Sequence, residues 1–289
     1  MATRPAFRTP QLFLLALILM LFFSAAQAGA WWGDDSGDAV TDTIDRTIDV
    51  TPDVRIDIDN TNGAIRIETW DRDQVEVSAE KRARGRDAEQ LLADTEIVID
   101  GGGSALSIRA ELPRTGWRGG SVSVRYTLTV PRGAAVDATS TNGAVVISDL
   151  DGAAKLRSTN GSIKVDGLGG TLDAGTTNGS ITAYGVRSTA SASTTNGSIK
   201  VEITGGSLDG DAELRTTNGS VTLMLAADTR ATIEARTRNG RVRTTNLTMP
   251  SDAVVEKRSM AFDHNGGGPR ISLRTTNGSI RVGEGPMER

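Results

Sequence analysis

The chain has 289 residues, a formal net charge of −4, 4 % aromatic residues, one His and no Cys. The acidic balance argues against a nucleic-acid partner, and the lack of Cys excludes disulfide staples, a lipidated Cys anchor and thiol nucleophiles. A single His leaves too few ligands for the common zinc sets, and nearly removes His-based nucleophile pairs as well.

In chain order, Arg4 and Arg8 precede an apolar run over residues 12–23 and the small-residue site Ala26-Gln27-Ala28, the pattern of a signal peptide over residues 1–28. The run is twelve residues long, against the roughly 20 that span a bilayer as a helix. Cleavage would leave 30 basic and 36 acidic residues, a net charge of about −6, and no transmembrane segment. Retention as an anchor, with Trp31 and Trp32 at the interface, is the alternative. The predicted destination is export, to the periplasm, the cell surface or the medium.

Residues 29–53 are rich in Asp, Gly, Ser and Thr and are predicted to form a flexible arm. Residues 54–133 form a less regular β segment that covers one end of the regular repeats. Within it Ile56, Ile58, Ile65 and Ile67 alternate about Asn62, the period of half-buried strands. Further strands are predicted at 75–79, 106–110 and 122–130, with a short helix over 87–93 capped by Asp87 and a loop over 113–120.

From residue 134 to 283 the pattern becomes regular. Asn-Gly recurs at Asn62, Asn142, Asn160, Asn178, Asn196, Asn218, Asn239 and Asn277, at spacings of 80, 18, 18, 18, 22, 21 and 38 residues. The spacing of 38 reads as two coils, one without its Asn-Gly. Positions six, four and two before each Asn are apolar or small, as in Ala154, Leu156 and Ser158, and so are positions three and five after it, as in Ile163 and Val165. Each unit therefore carries two short strands facing one core, with Asn and Gly turning the chain at a corner that needs positive φ.

Units this alike stack like side chains into ladders and bury one another's apolar faces. The fold predicted is all-β, a β-solenoid of about 18–22 residues per coil with a less regular N-terminal β portion, and 284–289 is a tail. Stacked antiparallel hairpins fit the same local pattern, because Asn-Gly is also the strongest two-residue hairpin signal.

The eight corner Asn residues read as structural. The outward column four after each Asn is Arg66, Val146, Lys164, Thr182, Lys200, Thr222, Arg243 and Arg281, a basic stripe on an acidic chain. Arg66, Lys164, Lys200, Arg243 and Arg281 are its candidate binding residues. Arg157, Arg215, Arg236 and Arg274, three before the Asn, add to that edge, with Asp137, Asp173, Glu213 and Glu234 two residues earlier. An anionic glycan or lipid suits such a stripe, while cross-strand ion pairing would consume part of it. Thr and Ser beside the corners, such as Thr159, Thr177, Thr195 and Ser180, form an outward hydroxyl array that suits sugar or ice as well as a plain solvated face.

His264 is expected in a surface loop, and Asp71 and Asp73 are too few for a calcium loop. No phosphate loop, nucleophile elbow or triad is visible. Catalytic, cofactor-binding and metal-binding residues are therefore all predicted to be none, with no cofactor.

The Asn-Gly-Ser-Ile units, the segment Trp70-Asp71-Arg72-Asp73-Gln74-Val75-Glu76-Val77 and the run Leu128-Thr129-Val130-Pro131-Arg132-Gly133 together resemble the bacterial toast-rack family, whose members are often labelled adhesins with β-strand repeats. The resemblance covers about residues 44–283. It implies a right-handed single-stranded β-helix at the cell envelope, of no established enzymatic activity and often linked to envelope-stress systems. The function expected is that of an exported, non-enzymatic solenoid presenting a repetitive surface to an envelope component or a protein partner. The alternative is a carbohydrate-active β-helix enzyme acting on envelope polysaccharide, which would gather carboxylates and cations in one groove.

Overall fold

Strands form where the period-two pattern places them, and they pair in parallel from one unit to the next. The structure, a computed structural model, describes residues 39–112 and 120–287. The predicted signal peptide, Trp31 and Trp32, most of the 113–120 loop and the last two residues of the tail lie outside the described residues.

The N-terminal part comprises β1 (Val40–Asn62), β2 (Ile65–Trp70), β3 (Gln74–Arg84), the helix α1 (Ala88–Ala93), β4 (Glu96–Glu111) and β5 (Ser121–Pro131). Paired short strands follow: β6 (Ala135–Asn142) and β7 (Val145–Leu150), β8 (Ala154–Asn160) and β9 (Ile163–Leu168), β10 (Leu172–Asn178) and β11 (Ile181–Val186). The next pairs are β12 (Ala190–Asn196) and β13 (Ile199–Ile203), β14 (Ala212–Asn218) and β15 (Val221–Leu225), β16 (Ala231–Asn239) and β17 (Val242–Thr245). The last described strands are β18 (Val254–Val255), β19 (Ser259–His264), β20 (Arg270–Asn277) and β21 (Ile280–Glu284).

In each unit the strand before the Asn lies on one face and the strand after the Gly on another. The parallel register is strict: Asn160 pairs with Asn178 and Asn178 with Asn196 on the upstream face, while Ile163 pairs with Ile181 and Ile181 with Ile199 on the downstream face. Parallel pairing between successive units removes the hairpin alternative and makes the stack a solenoid. Between the faces lies one core of wholly buried side chains, among them Ile56, Ile65, Leu156, Ile163, Ile181, Leu214, Val221 and Ile280. Removing such side chains from water, at about 25 cal/mol per Å², is the main term that offsets the ordering of the backbone.

The stacking order departs from the chain order at both ends. β14 pairs with β20, and β20 pairs on its other side with β16, so that the Asn277 coil lies between the Asn218 and Asn239 coils. On the downstream face β21 likewise lies between β15 and β17. The spacing of 38 residues is thus not two coils in sequence. It contains β19, which runs antiparallel beside β16 and covers its outer edge, and β18, which pairs antiparallel with β19 on the far side, and then the inserted coil.

The beginning of the stack has a matching arrangement, with β4 outside β1 and β5 outside β2, in parallel register. Beyond β5 the edge is again covered by an antiparallel strand, β3, and then by the first portion of β1. An antiparallel cover on a terminal parallel strand occupies hydrogen-bonding groups that would otherwise recruit another chain.

Three local expectations are corrected. The arm predicted over 29–53 is strand from Val40 onward, where Val40–Asp49 pair antiparallel with β3; its Asp and Thr residues belong to an edge with one solvated side. Asp87 precedes α1 but makes no side-chain cap bond. His264 is 5 % exposed and stands edge-on to Phe262 with ring centroids 6.4 Å apart. It closes the core from β19, where Met260, Phe262 and His264 alternate inward.

Positive φ is also not the general reason for the corners. No corner Asn has positive φ, and of the corner glycines only Gly63 (φ 118°) and Gly219 (φ 159°) show it, the latter close to extended backbone. What the corners require is space. A Cβ built on Gly143, Gly161, Gly179, Gly197, Gly219, Gly278 or Gly240 would overlap the carbonyl oxygen of the corner glycine in the neighbouring coil.

Gly161→Ala is therefore expected to destabilise the protein by roughly 3 kcal/mol. Gly210→Ala, where a Cβ meets nothing within 4 Å, should stay within about 0.5 kcal/mol of the parent. Urea titration of both variants followed by circular dichroism checks the pair, and equal midpoints would refute the steric account.

Candidate functional site

Two hydrogen-bond ladders run along the corner and fix what lies outside it. On the surface each Asn side chain donates to the next: Asn142 to Asn62, Asn160 to Asn142 and Asn178 to Asn160, each at 2.8 Å. The series continues from Asn196 to Asn178, Asn218 to Asn196, Asn277 to Asn218 and Asn239 to Asn277 at 2.8–2.9 Å. Every donor points the same way along the stack, because an amide offers an N–H on one side and an oxygen on the other.

Beneath it, buried hydroxyls donate to corner glycine carbonyls one coil away. Examples are Ser158 to Gly143 at 3.0 Å, Thr176 to Gly161, Thr194 to Gly179 and Thr216 to Gly197 at 2.9 Å, and Thr237 to Gly278 at 2.8 Å. These Ser and Thr residues stand at inward positions two before the Asn. They are small enough for the narrow corner, and their hydroxyls find a partner there, as buried polar groups must.

The outward columns inherit this register. The candidate stripe lies on the outer side of the downstream face in the stacking order Arg66, Val146, Lys164, Thr182, Lys200, Thr222, Arg281, Arg243. Arg281 stands inside Arg243, which the linear order of the sequence does not reveal. Arg66 reaches Glu68 at 3.9 Å. Lys164, Lys200, Arg243 and Arg281 have no ion pair among the described residues. Arg157, Arg215, Arg274 and Arg236 lie on the other, upstream face, so the two basic columns flank the corner from opposite sheets rather than forming one edge.

On the upstream face Asp137 pairs with Lys155 at 2.6 Å, and Asp173 with Arg157. The hydroxyl array is likewise in register, Thr159 to Thr195 on one side of the corner and Ser162 to Ser220 on the other. Asp71 is taken by Arg132 at 2.9 Å, and no group of three or more His, Cys, Asp or Glu that could hold a metal occurs among the described residues. Burial pushes the Tyr126 phenol up, with the Asp59 charge adding to the shift, so it remains a protonated core residue rather than a base.

A surface Asn ladder, a buried hydroxyl ladder and in-register hydroxyls and cations outside define a repeat scaffold. The profile of the Toastrack DUF4097 family matches residues 119–283, more than half of the chain, and the chain belongs to that family. No match was found among curated proteins.

Among solved structures, a candidate adhesin from Bacteroides fragilis NCTC 9343 is 14 % identical, with 84 % of this chain and 97 % of that chain covered at a TM-score of 0.40. A candidate lipid-binding protein from Parabacteroides distasonis ATCC 8503 is 11 % identical, with 83 % and 96 % covered, also at 0.40. A candidate cell adhesion protein from Clostridium sporogenes ATCC 15579 is 8 % identical, with 85 % and 100 % covered, at 0.36.

Asn178→Ala removes one donor and one acceptor from the surface ladder, and Thr194→Val removes one buried hydroxyl while keeping its volume. Each is expected to lower stability by about 1 kcal/mol, with Lys164→Gln unchanged as a control. A double-mutant cycle on Asn178 and Asn196 should show coupling; additive losses would mean that the surface ladder is ornamental.

Proposed function

We propose that the chain is an exported, non-catalytic solenoid that binds an envelope component through the outward columns of its coils. The observation that carries this reading is the pair of ladders, which hold outward side chains in register across coil after coil. A rigid sheet presents them at low entropic cost, so several weak contacts act together. Family membership supports a repeat scaffold, and no helix among the described residues is long and apolar enough to cross a membrane.

On the downstream face the partner is taken to be anionic, because Lys164, Lys200, Arg243 and Arg281 stand in one outward column and form no ion pair among the described residues. Arg66 is the weakest member, since Glu68 already shares its charge. Long Lys and Arg side chains at exposed sites form adaptable contacts that salt screens.

Lys164→Gln, Lys200→Gln and Arg243→Gln combined are expected to weaken binding of the purified chain to isolated envelope fractions several-fold at low salt, with little difference at high salt. Co-sedimentation across a salt series measures this. Binding indifferent to both salt and substitution would remove the stripe from the reading, and release of reducing or unsaturated sugar would overturn the non-catalytic assignment.

A further inference from the structure

The insertion of the Asn277 coil makes the second basic column, on the upstream face, continuous at this end of the stack. Arg215 pairs in register with Arg274, and Arg274 with Arg236, so three guanidinium groups stand in one column on the outer side of the upstream face. Adjacent strands are about 4.8 Å apart, and like charges opposed at that spacing repel.

Nothing comparable stands in the preceding coils, where the same column reads Thr139, Arg157, Gly175 and Ser193. Arg157 there is neutralised by Asp173 of the adjoining coil. In the triad, Arg215 has Glu213 only at 4.0 Å, Arg274 bonds the Ser272 hydroxyl at 3.1 Å, and Arg236 has no ion pair among the described residues. Glu234, which could serve Arg236, is drawn to Arg270 at 3.3 Å.

The column lies in a groove of about 920 Å³, walled on one side by residues of β18 and β19. Arg238 adds a fourth guanidinium, Thr217 and Thr276 supply hydroxyls, and Val254, 58 % exposed, supplies an apolar patch. The second acidic side chain of the groove, Glu256, already accepts a bond from the Ser259 hydroxyl at 2.8 Å. Residues 230–281, which build this end, hold ten Arg and Lys against four Asp and Glu, net +6 in a chain of net −4.

We infer that this groove binds a linear acidic polysaccharide, with sugar carboxylates on the Arg215, Arg274 and Arg236 column. The inference rests on the surface-binding reading above and names a second site and a ligand class for it. A planar guanidinium takes a carboxylate through two parallel hydrogen bonds. A row of them at fixed pitch suits a polymer that repeats its charge, where a lone anion would engage one. The Thr hydroxyls match sugar hydroxyls, and Val254 matches the apolar side of a sugar ring.

Binding would also relieve the repulsion within the column, so ligand and fold are coupled: anything that binds the native state alone raises its stability. Isothermal titration of the full chain with an oligogalacturonate of defined length tests the inference. Binding is expected to weaken with salt, to fall roughly tenfold in Arg274→Gln, given the strength of a charge-assisted hydrogen bond, and to vanish in the Arg215→Gln, Arg274→Gln, Arg236→Gln variant. Arg157→Gln, one column but three coils away, should bind as the parent does.

Because the three arginines are exposed, the triple variant should melt no lower than the parent, which separates lost binding from lost fold. The inference is overturned by an absence of binding, by equal binding of an uncharged oligosaccharide of the same length, or by an equal loss in Arg157→Gln. It is equally overturned if inorganic polyphosphate or phosphatidylglycerol vesicles bind through the triad and the oligogalacturonate does not. Envelope co-sedimentation retained by a chain that ignores oligogalacturonate would sink this site and leave the general reading standing; the reverse pattern would do the opposite.

Discussion

At each corner the coils approach so closely that the carbonyl oxygen of one corner glycine occupies the space where the next would carry a Cβ. The rest of the structure depends on that contact. It brings the Asn side chains within hydrogen-bond reach, it brings the buried Ser and Thr hydroxyls onto the glycine carbonyls, and it sets the register of both strands leaving the corner. A side chain at any of these glycines would push neighbouring coils apart locally, and because parallel strands are bonded along their length, the separation would reach the apolar columns on both sides. The Asn-Gly pair is therefore a spacing device. Asn supplies a side chain that both donates and accepts along the stack, and Gly supplies the absence of one.

Much of the architecture was legible in the sequence because a period-two strand and a period near twenty are both one-dimensional signals. Inward positions such as Leu156, Ile163 and Leu214 are buried where the columns put them. The reason for the glycines was not legible, since a close approach between coils and a positive φ leave the same residue in the sequence. His264 was missed because it lies off the repeat, although Met260, Phe262 and His264 keep their own alternation and carried the signal of an inward face. The N-terminal arm was missed for a related reason: an edge strand with a solvated side has the Asp- and Thr-rich composition of a disordered one. The basic columns were legible as sets of residues, but their neighbours in space were not, because those depend on stacking order.

Self-similar units state that they can stack, and are nearly silent on the order in which they do so. The Asn239 and Asn277 coils both offer Thr, Asn and Gly at the corner and a β-branched residue after it, so either satisfies the ladders. One difference decides between them. Five positions after its Asn, the Asn277 coil places Val282, which is wholly buried, and the Asn239 coil places Thr244, which is exposed. An interior coil needs an apolar side chain there, because a neighbour covers it on each side. An end coil can carry a hydroxyl that faces water.

The same asymmetry explains why the ends, rather than the regular middle, collect unusual chemistry. In the middle of the stack an outward cation is surrounded by identical coils, and a carboxylate one coil away can neutralise it, as Asp173 does for Arg157. At the end, insertion of one coil between two others sets Arg274 directly between Arg215 and Arg236, so that three arginines stand in consecutive register positions of one column. The antiparallel strands that protect the edge from aggregation then wall that column on one side. A topology whose first consequence is to cover exposed strand edges thereby also concentrates unneutralised charge in a groove, and it does so with residues that, taken singly, are ordinary members of the repeat.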